Sequence, residues 1–115
     1  FSNPLAVLAC GMFVFVLSGC ESDRPLAPPD HLIGHKVYYG YCSGCHDSGN
    51  EKVPTLLEKR YLPQYTSDAK MLTSIRVGKG NMPPQGGMLK DADLKEAIRY
   101  SRYMQRKNAK KKKKG

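Results

Sequence analysis

Three residues near the middle of the chain have the types and spacing for redox chemistry. Cys42 and Cys45 stand three apart, and His46 follows the second directly, in Cys42-Ser43-Gly44-Cys45-His46. Two thiols at this spacing can reach the two vinyl groups on one side of a porphyrin. The histidine after the second thioether is then forced beneath the iron. Ser43 and Gly44 are small and allow the tight turn. This is the attachment signature of c-type haem. Two other chemistries use such cysteines. A zinc site wants four ligands, and no second Cys/His pair follows Cys45-His46. A redox dithiol wants a strand–turn–helix context, and no strand-like alternation of useful length is visible. The expected cofactor is one covalent haem c, with His46 as the proximal iron ligand.

A second ligand is sought further along. Gly78-Lys79-Gly80-Asn81-Met82-Pro83-Pro84-Gln85-Gly86-Gly87 is a glycine- and proline-rich loop holding one methionine. A loop stiffened by two prolines and hinged by glycines can present a thioether to iron, and that soft sulfur raises the potential. Met82 is the expected distal ligand, with Met88 its main competitor. Met71 and Met104 fall at helical spacing and read as core. His31 and His35 lie before the haem motif on the same expected helix, eleven and seven residues ahead of Cys42. Ligation by either needs a rigid helix to fold back, so they read as surface or propionate-facing. A histidine ligand or an open iron site stays as the alternative.

The elements that position these residues are helical. The stretch His31 to Tyr41 puts Ile33, Val37 and Tyr41 on one stripe and Gly34, Tyr38 and Cys42 on the next. Ser67-Asp68 can cap a helix carrying Leu72 and Ile75, ended by Gly78 and Gly80. Asp91 can cap a last helix with Leu94, Ala97, Ile98, Ser101 and Met104 inward. Arg99, Arg102, Arg106 and Lys107 lie in its C-terminal half, where they suit the helix dipole. A short helical turn is expected between Thr55 and Arg60. The body spans about residues 30–105, and a domain this small rarely builds an adequate core from side chains alone. A disulfide between Cys42 and Cys45 would close almost no loop. The haem is the expected staple.

With these pieces in place the body resembles the class I (monohaem) cytochromes c, in their short bacterial type with a Met-Pro-Pro axial loop. The resemblance runs from Gly34 to about Tyr103. Gly34, Tyr38 and Cys42 match the family's glycine, aromatic and cysteine spacing on the first helix. Asn81-Met82-Pro83-Pro84-Gln85-Gly86-Gly87 matches its methionine loop. The resemblance implies an all-α fold of three to four short helices around one haem, with the first and last helices crossing. It implies that Ala97 and Tyr100 meet Gly34 and Tyr38, and that the Pro54 carbonyl accepts the His46 N–H. It implies one-electron transfer between redox partners and not an enzyme. Some short relatives carry a cysteine pair after the Gly-Gly; here Gly87-Met88-Leu89-Lys90-Asp91 has none. Met88, Leu89 and Tyr41 are candidates for an apolar docking rim around the haem edge. A dedicated haem subunit of a larger oxidoreductase complex is the alternative. A gas sensor or peroxidase with a labile Met82 is a more distant one.

The ends of the chain read differently from the body. Residues 5–17 form a largely apolar run, too short to span a bilayer, which needs about 20 residues, but of signal-peptide length. Leu17-Ser18-Gly19-Cys20 resembles the lipobox of bacterial lipoproteins, in which the cysteine is acylated and becomes the new N-terminus. Residues 1–19 are then a removed signal segment, and residues 20–29, with three prolines, an extended tether. The chain has 115 residues and a net charge of +9. Seven Lys/Arg and no acid lie from Arg106 onward, leaving twelve basic and ten acidic residues in the rest. The body is nearly neutral, so the overall charge does not point to nucleic acid. Residues 106–115 form a polybasic tail, read as a solvated, frayed helix end or as a clamp on anionic lipid or an acidic partner. The whole describes a monomeric, membrane-anchored carrier of the bacterial periplasm, held by lipid on Cys20 and serving redox proteins as partners.

Overall fold

The computed structural model describes residues 24–115. The expected signal segment and Cys20 lie outside the described residues. The chain opens with a 3-10 turn, Pro29–His31, and enters helix α1, Leu32–Val37. A π-helical turn, Tyr38–Cys42, leads without a break into α2, Ser43–His46. A long irregular segment follows, with one 3-10 turn at Lys59–Tyr61 where a short helical turn was expected. Helix α3 is Asp68–Val77, and α4 is Asp91–Lys114. Among the described residues no strand forms, only an isolated bridge between Lys79 and Met82. No helix among them is long and apolar enough to cross a membrane.

The helix ends follow local chemistry. Ser67 is extended and its hydroxyl accepts the Lys70 amide at 3.2 Å, which satisfies one orphan donor of α3. Gly78, at φ +82°, ends α3 as expected. Asp91 does not cap α4. Lys90 holds that position without a side-chain bond. Asp91 sits in the first turn, where its charge suits the positive helix end, and its carboxylate takes a bidentate bond from Arg76. At the other end, cations suit the negative pole, and lysine is a good helix former. Helix α4 accordingly continues through the basic run to Lys114.

The core lies where α1 and α3 pack on α4. Its buried apolar residues are Val37, Tyr38, Met71, Leu94, Ala97, Ile98 and Tyr100. Gly34 lets α1 approach α4. A β-carbon there would collide with the Glu96 carbonyl and stand 2.9 Å from the Tyr100 β-carbon. The buried stripe of α1 is therefore Gly34 and Tyr38, with Val37. Ile33 and Tyr41 are more than half exposed, contrary to the stripe expected for them. The crossing is centred on the glycine, and Ile33, one residue away, is turned about 100° off that line. The aromatic rings of Tyr38 and Tyr100 meet at 5.5 Å, and Tyr100 stacks on Tyr103 at 5.9 Å.

Arg102, expected only as one of the charges that suit the helix dipole, is buried. It is 6% exposed and makes four bonds, to the Asp68 carboxylate at 2.7 Å, the Tyr61 and Thr66 carbonyls at 2.6 Å each, and the Gln105 side chain at 3.0 Å. Gln105 in turn donates to the Leu56 and Tyr61 carbonyls. These two side chains give the irregular segment partners for backbone groups that it cannot satisfy itself. The segment before α1 touches the domain at two points. His35 Nε2 donates to the Pro25 carbonyl at 2.8 Å, and Arg24 lies over the Tyr39 ring.

Two predictions follow from this packing. Arg102→Ala takes the side-chain donor from the part-buried Thr66 carbonyl and one of the two donors from the Tyr61 carbonyl. It should lower stability by about 2–4 kcal/mol in denaturant titrations of the haem-loaded protein, and Arg102→Lys should recover less than half. Burial, helped by a bond to Asp47, pushes the Tyr38 hydroxyl well above the ordinary tyrosine range; burial does the same to Tyr100. Each favours the folded state below pH about 10, and that contribution is lost as pH rises further. Tyr100→Phe should flatten the decline of stability measured between pH about 10 and 12.

Candidate haem site

Cys42, Cys45 and His46 lie on one continuous helical segment. The π turn before them is set by the Ser43 amide donating to the Tyr38 carbonyl, five residues back. An extra residue in one turn rotates all that follows by roughly 100° relative to an unbroken α-helix. The thiols thereby leave the line that Gly34 and Tyr38 present to α4. Cys42 is half-buried and Cys45 exposed, and neither is in a disulfide. Burial, and next the Asp47 carboxylate, push the Cys42 thiol up to about 11. A thiol held protonated is a poor disulfide-exchange nucleophile, which weighs against the dithiol reading. No cluster of three or more His, Cys, Asp or Glu side chains among the described residues is placed to hold a metal ion.

His46 is fixed by a residue eight positions later. Its Nδ1–H donates to the Pro54 carbonyl at 2.8 Å. A carbonyl can only accept, so Nδ1 carries the proton and Nε2 keeps its lone pair. Beside His46 a cavity of about 480 Å³ is lined by Asp47, Val53, Thr55 and Glu58 among others. Asp47 is the site residue that motif reading passed over. It accepts the Tyr38 hydroxyl at 2.6 Å and so ties the end of α2 back to the α1–α4 core. The cue was available: a buried tyrosine needs an acceptor.

Met82 stands on a separate loop, half-buried. None of the hydrogen bonds among the described residues joins this loop to the Cys42–His46 segment. The loop begins with a two-residue turn in which Lys79 and Met82 exchange both backbone bonds, at 3.2 and 3.0 Å. Gly80 takes φ +59° at its first central position, as a type II′ turn demands. The chain then returns to α3. The Gln85 and Gly86 amides donate to the Ile75 and Arg76 carbonyls, at 2.9 and 3.1 Å. These carbonyls are among the orphans that every helix C-terminus leaves. Arg76–Asp91 pairs the helices on either side. Met88 is largely exposed outside this clamp, and Met71 is core. His31 packs on Tyr103 of α4, and His35 on Tyr39 of the π turn.

The donor set suits a covalent haem: two free thiols three apart, an imidazole with its lone pair set by Pro54, and a thioether on a braced loop. Leu57, Leu72, Ile75 and Leu89 are half-exposed apolar side chains that such a group can cover. Helices alone around these donors describe a small c-type haem protein.

Comparison with known proteins agrees. The family described as cytochrome C oxidase, cbb3-type, subunit III matches residues 29–100. Cytochrome c6 of Picosynechococcus sp. is 33% identical over 87 residues, covering 66% of this chain and 74% of the relative. Cytochrome c6 of Diacronema lutheri is 29% identical over 76 residues, covering 62% and 92%. The solved structure of cytochrome c6 from the diatom Phaeodactylum tricornutum superposes with a TM-score of 0.54 at 28% identity, covering 64% of this chain and 92% of that one. The chain belongs to the class I, monohaem cytochrome c family. It is an electron-transfer protein and not an enzyme, and its cofactor is one covalent haem c.

Gly78 tests the loop. A β-carbon there would lie 2.7 Å from the Met82 carbonyl, at a backbone angle that side chains disfavour. Gly78→Ala should speed hydrogen exchange at the Gln85 and Gly86 amides by about tenfold or more, with the α4 core amides unchanged.

Proposed function

We propose that this chain carries single electrons through a haem held by Cys42 and Cys45 and ligated by His46 and Met82, on a carrier anchored at an extracytoplasmic membrane face. The observation that carries the ligand assignment is the His46–Pro54 bond at the end of a helix bearing two free thiols. Bound there, the haem supplies a one-electron couple. Pro54, by accepting the Nδ1 proton, orients the ring and strengthens Nε2 as a donor. Met82 offers a soft sulfur that favours the reduced state. One ligand on a helix end and one on a loop braced to α3 keep their places as the charge at the site changes. Half-exposed Leu72, Ile75 and Leu89 limit water around it. The exposed Tyr41 and Met88 are candidates for the rim that meets redox partners in brief, weak encounters.

The anchoring part of the proposal rests on the sequence Leu17-Ser18-Gly19-Cys20. Residues 1–19 are the signal segment, 20–29 the lipid-bearing tether, 30–105 the monomeric cytochrome domain and 106–115 the basic tail. Attachment of c-type haem outside the cytoplasm agrees with an exported, periplasmic chain.

Optical spectra of the matured protein test the ligands. The oxidised protein should show the weak far-red methionine-to-iron band, and the reduced protein should not bind CO. Met82→Ala should abolish the band and admit CO, while Met88→Ala should change neither. A band that survives Met82→Ala would remove Met82 from the iron.

A further inference from the structure

The basic tail is part of the last helix, not a frayed end. Helix α4 runs unbroken to Lys114 and carries Arg106, Lys107 and Lys110 through Lys114 without an intervening acid. Asn108 alone of residues 106–114 is half-buried; the charged side chains are exposed. The ion pairs among the described residues use Arg60, Arg76, Arg99 and Arg102, and none uses residues 106–114. The rod therefore presents seven positive charges with no ion-pair partner among the described residues, at one end of a nearly neutral body.

The N-terminal segment meets α4 at the level where this charge begins. His31 packs on Tyr103 with ring centres 5.0 Å apart, and the Lys107 ammonium lies over the same Tyr103 ring, 5.9 Å from its centre. Pro25 is tied to His35, whose ring packs on Tyr100. This segment and the start of α1 expose large apolar side chains. Leu26 is 95% exposed, Leu32 60% and Ile33 57%. A further apolar hollow of about 300 Å³ lies between Leu57, Leu62 and Ala109, rimmed by Lys59 and Lys112.

We propose that the basic end of α4, together with exposed Leu26, Leu32 and Ile33, docks this protein on an anionic bilayer surface. Lysines near a negatively charged leaflet are attracted within about one Debye length, and the effect adds over residues. Apolar side chains beside such a cluster enter the headgroup boundary and make the contact more than electrostatic. A solvated face would have the charge without the leucines. A docking site for an acidic protein would have less use for a leucine that stands almost wholly in solvent. The inference does not depend on lipid at Cys20 or on the iron ligands.

Vesicle flotation of the haem-loaded mature chain, residues 20–115 carrying Cys20→Ser and exported behind a signal segment cleaved without acylation, tests it, so that neither acylation nor the apolar run 5–17 can contribute. The vesicles are phosphatidylcholine alone or mixed with phosphatidylglycerol. The protein should float with the mixed vesicles only, and release when salt rises from about 0.1 M to about 1 M. Replacing Lys110 through Lys114 with Gln, which keeps the helix, should weaken partitioning about tenfold or more. Leu26→Ser with Ile33→Ser should weaken it less and leave its salt dependence. Haem absorbance and helix content confirm that each variant is folded. Equal partitioning of the Gln variant and its parent overturns the proposal. So does equal binding to neutral vesicles, or binding to an acidic polypeptide with none to the mixed vesicles.

Discussion

One close approach governs this molecule: the backbone of α1 against the backbone of α4 at Gly34. No side chain fits between them, because the Glu96 carbonyl occupies the place a β-carbon would take. Hydrophobic area alone does not explain the geometry, since Ile33 beside the contact stays in solvent. The crossing fixes Tyr38 against Tyr100, and Tyr38 then reaches Asp47 at the far end of the same helical run. The position of His46 is thus inherited from a packing contact twelve residues upstream. The π turn makes the two compatible, for it lets one face of the run serve α4 while the thiols and imidazole take another. Such a turn at a functional segment is a common use of this rare geometry.

The second organising group is a buried cation. A body with seven buried apolar side chains among its described residues has little hydrophobic area with which to hold a long irregular segment. Arg102 holds it through backbone carbonyls. Its planar fork has several fixed donors, which a lysine lacks. Its ion partner Asp68 remains mostly in water, so the Coulombic part is modest and the carbonyl bonds matter more. The loop of Met82 is built on the same economy. Its amides go to helix carbonyls that needed donors, and the rim pair Arg76–Asp91 only joins the two helices around it.

Much of this was legible in the chain, and the reasons differ by residue. Gly34, Tyr38 and the apolar face of α4 declare themselves by spacing, because helix packing repeats. Ser67 and Gly78 declare the bounds of α3, because helix ends need an acceptor and a positive φ. Cys42, Cys45 and His46 are proposed as the haem's holders from their spacing, because a rigid planar group admits few arrangements. Arg102 and Gln105 were not legible. Both sit at helical spacing within a basic stretch, and only the irregular segment's unsatisfied carbonyls, a tertiary fact, draw them inward. Asp91 was misread for a similar reason: its carboxylate has a better partner in Arg76 than in its own helix. The exposed Ile33 and Tyr41 show the limit of periodicity, which finds two stripes and cannot say which one a glycine opens to a neighbour.

The crossing also orders events in time. Gly34 and Glu96 are about sixty residues apart in the chain, and closing so long a loop is slow and earns no contact until the last helix exists. Until then α1 has no partner, and an isolated helix of this length is marginal in water. Cys42 and Cys45 therefore spend the early life of every newly made chain on an open strand of polypeptide, reachable by a covalent modifier, and become part of a shaped surface only when the C-terminal end arrives.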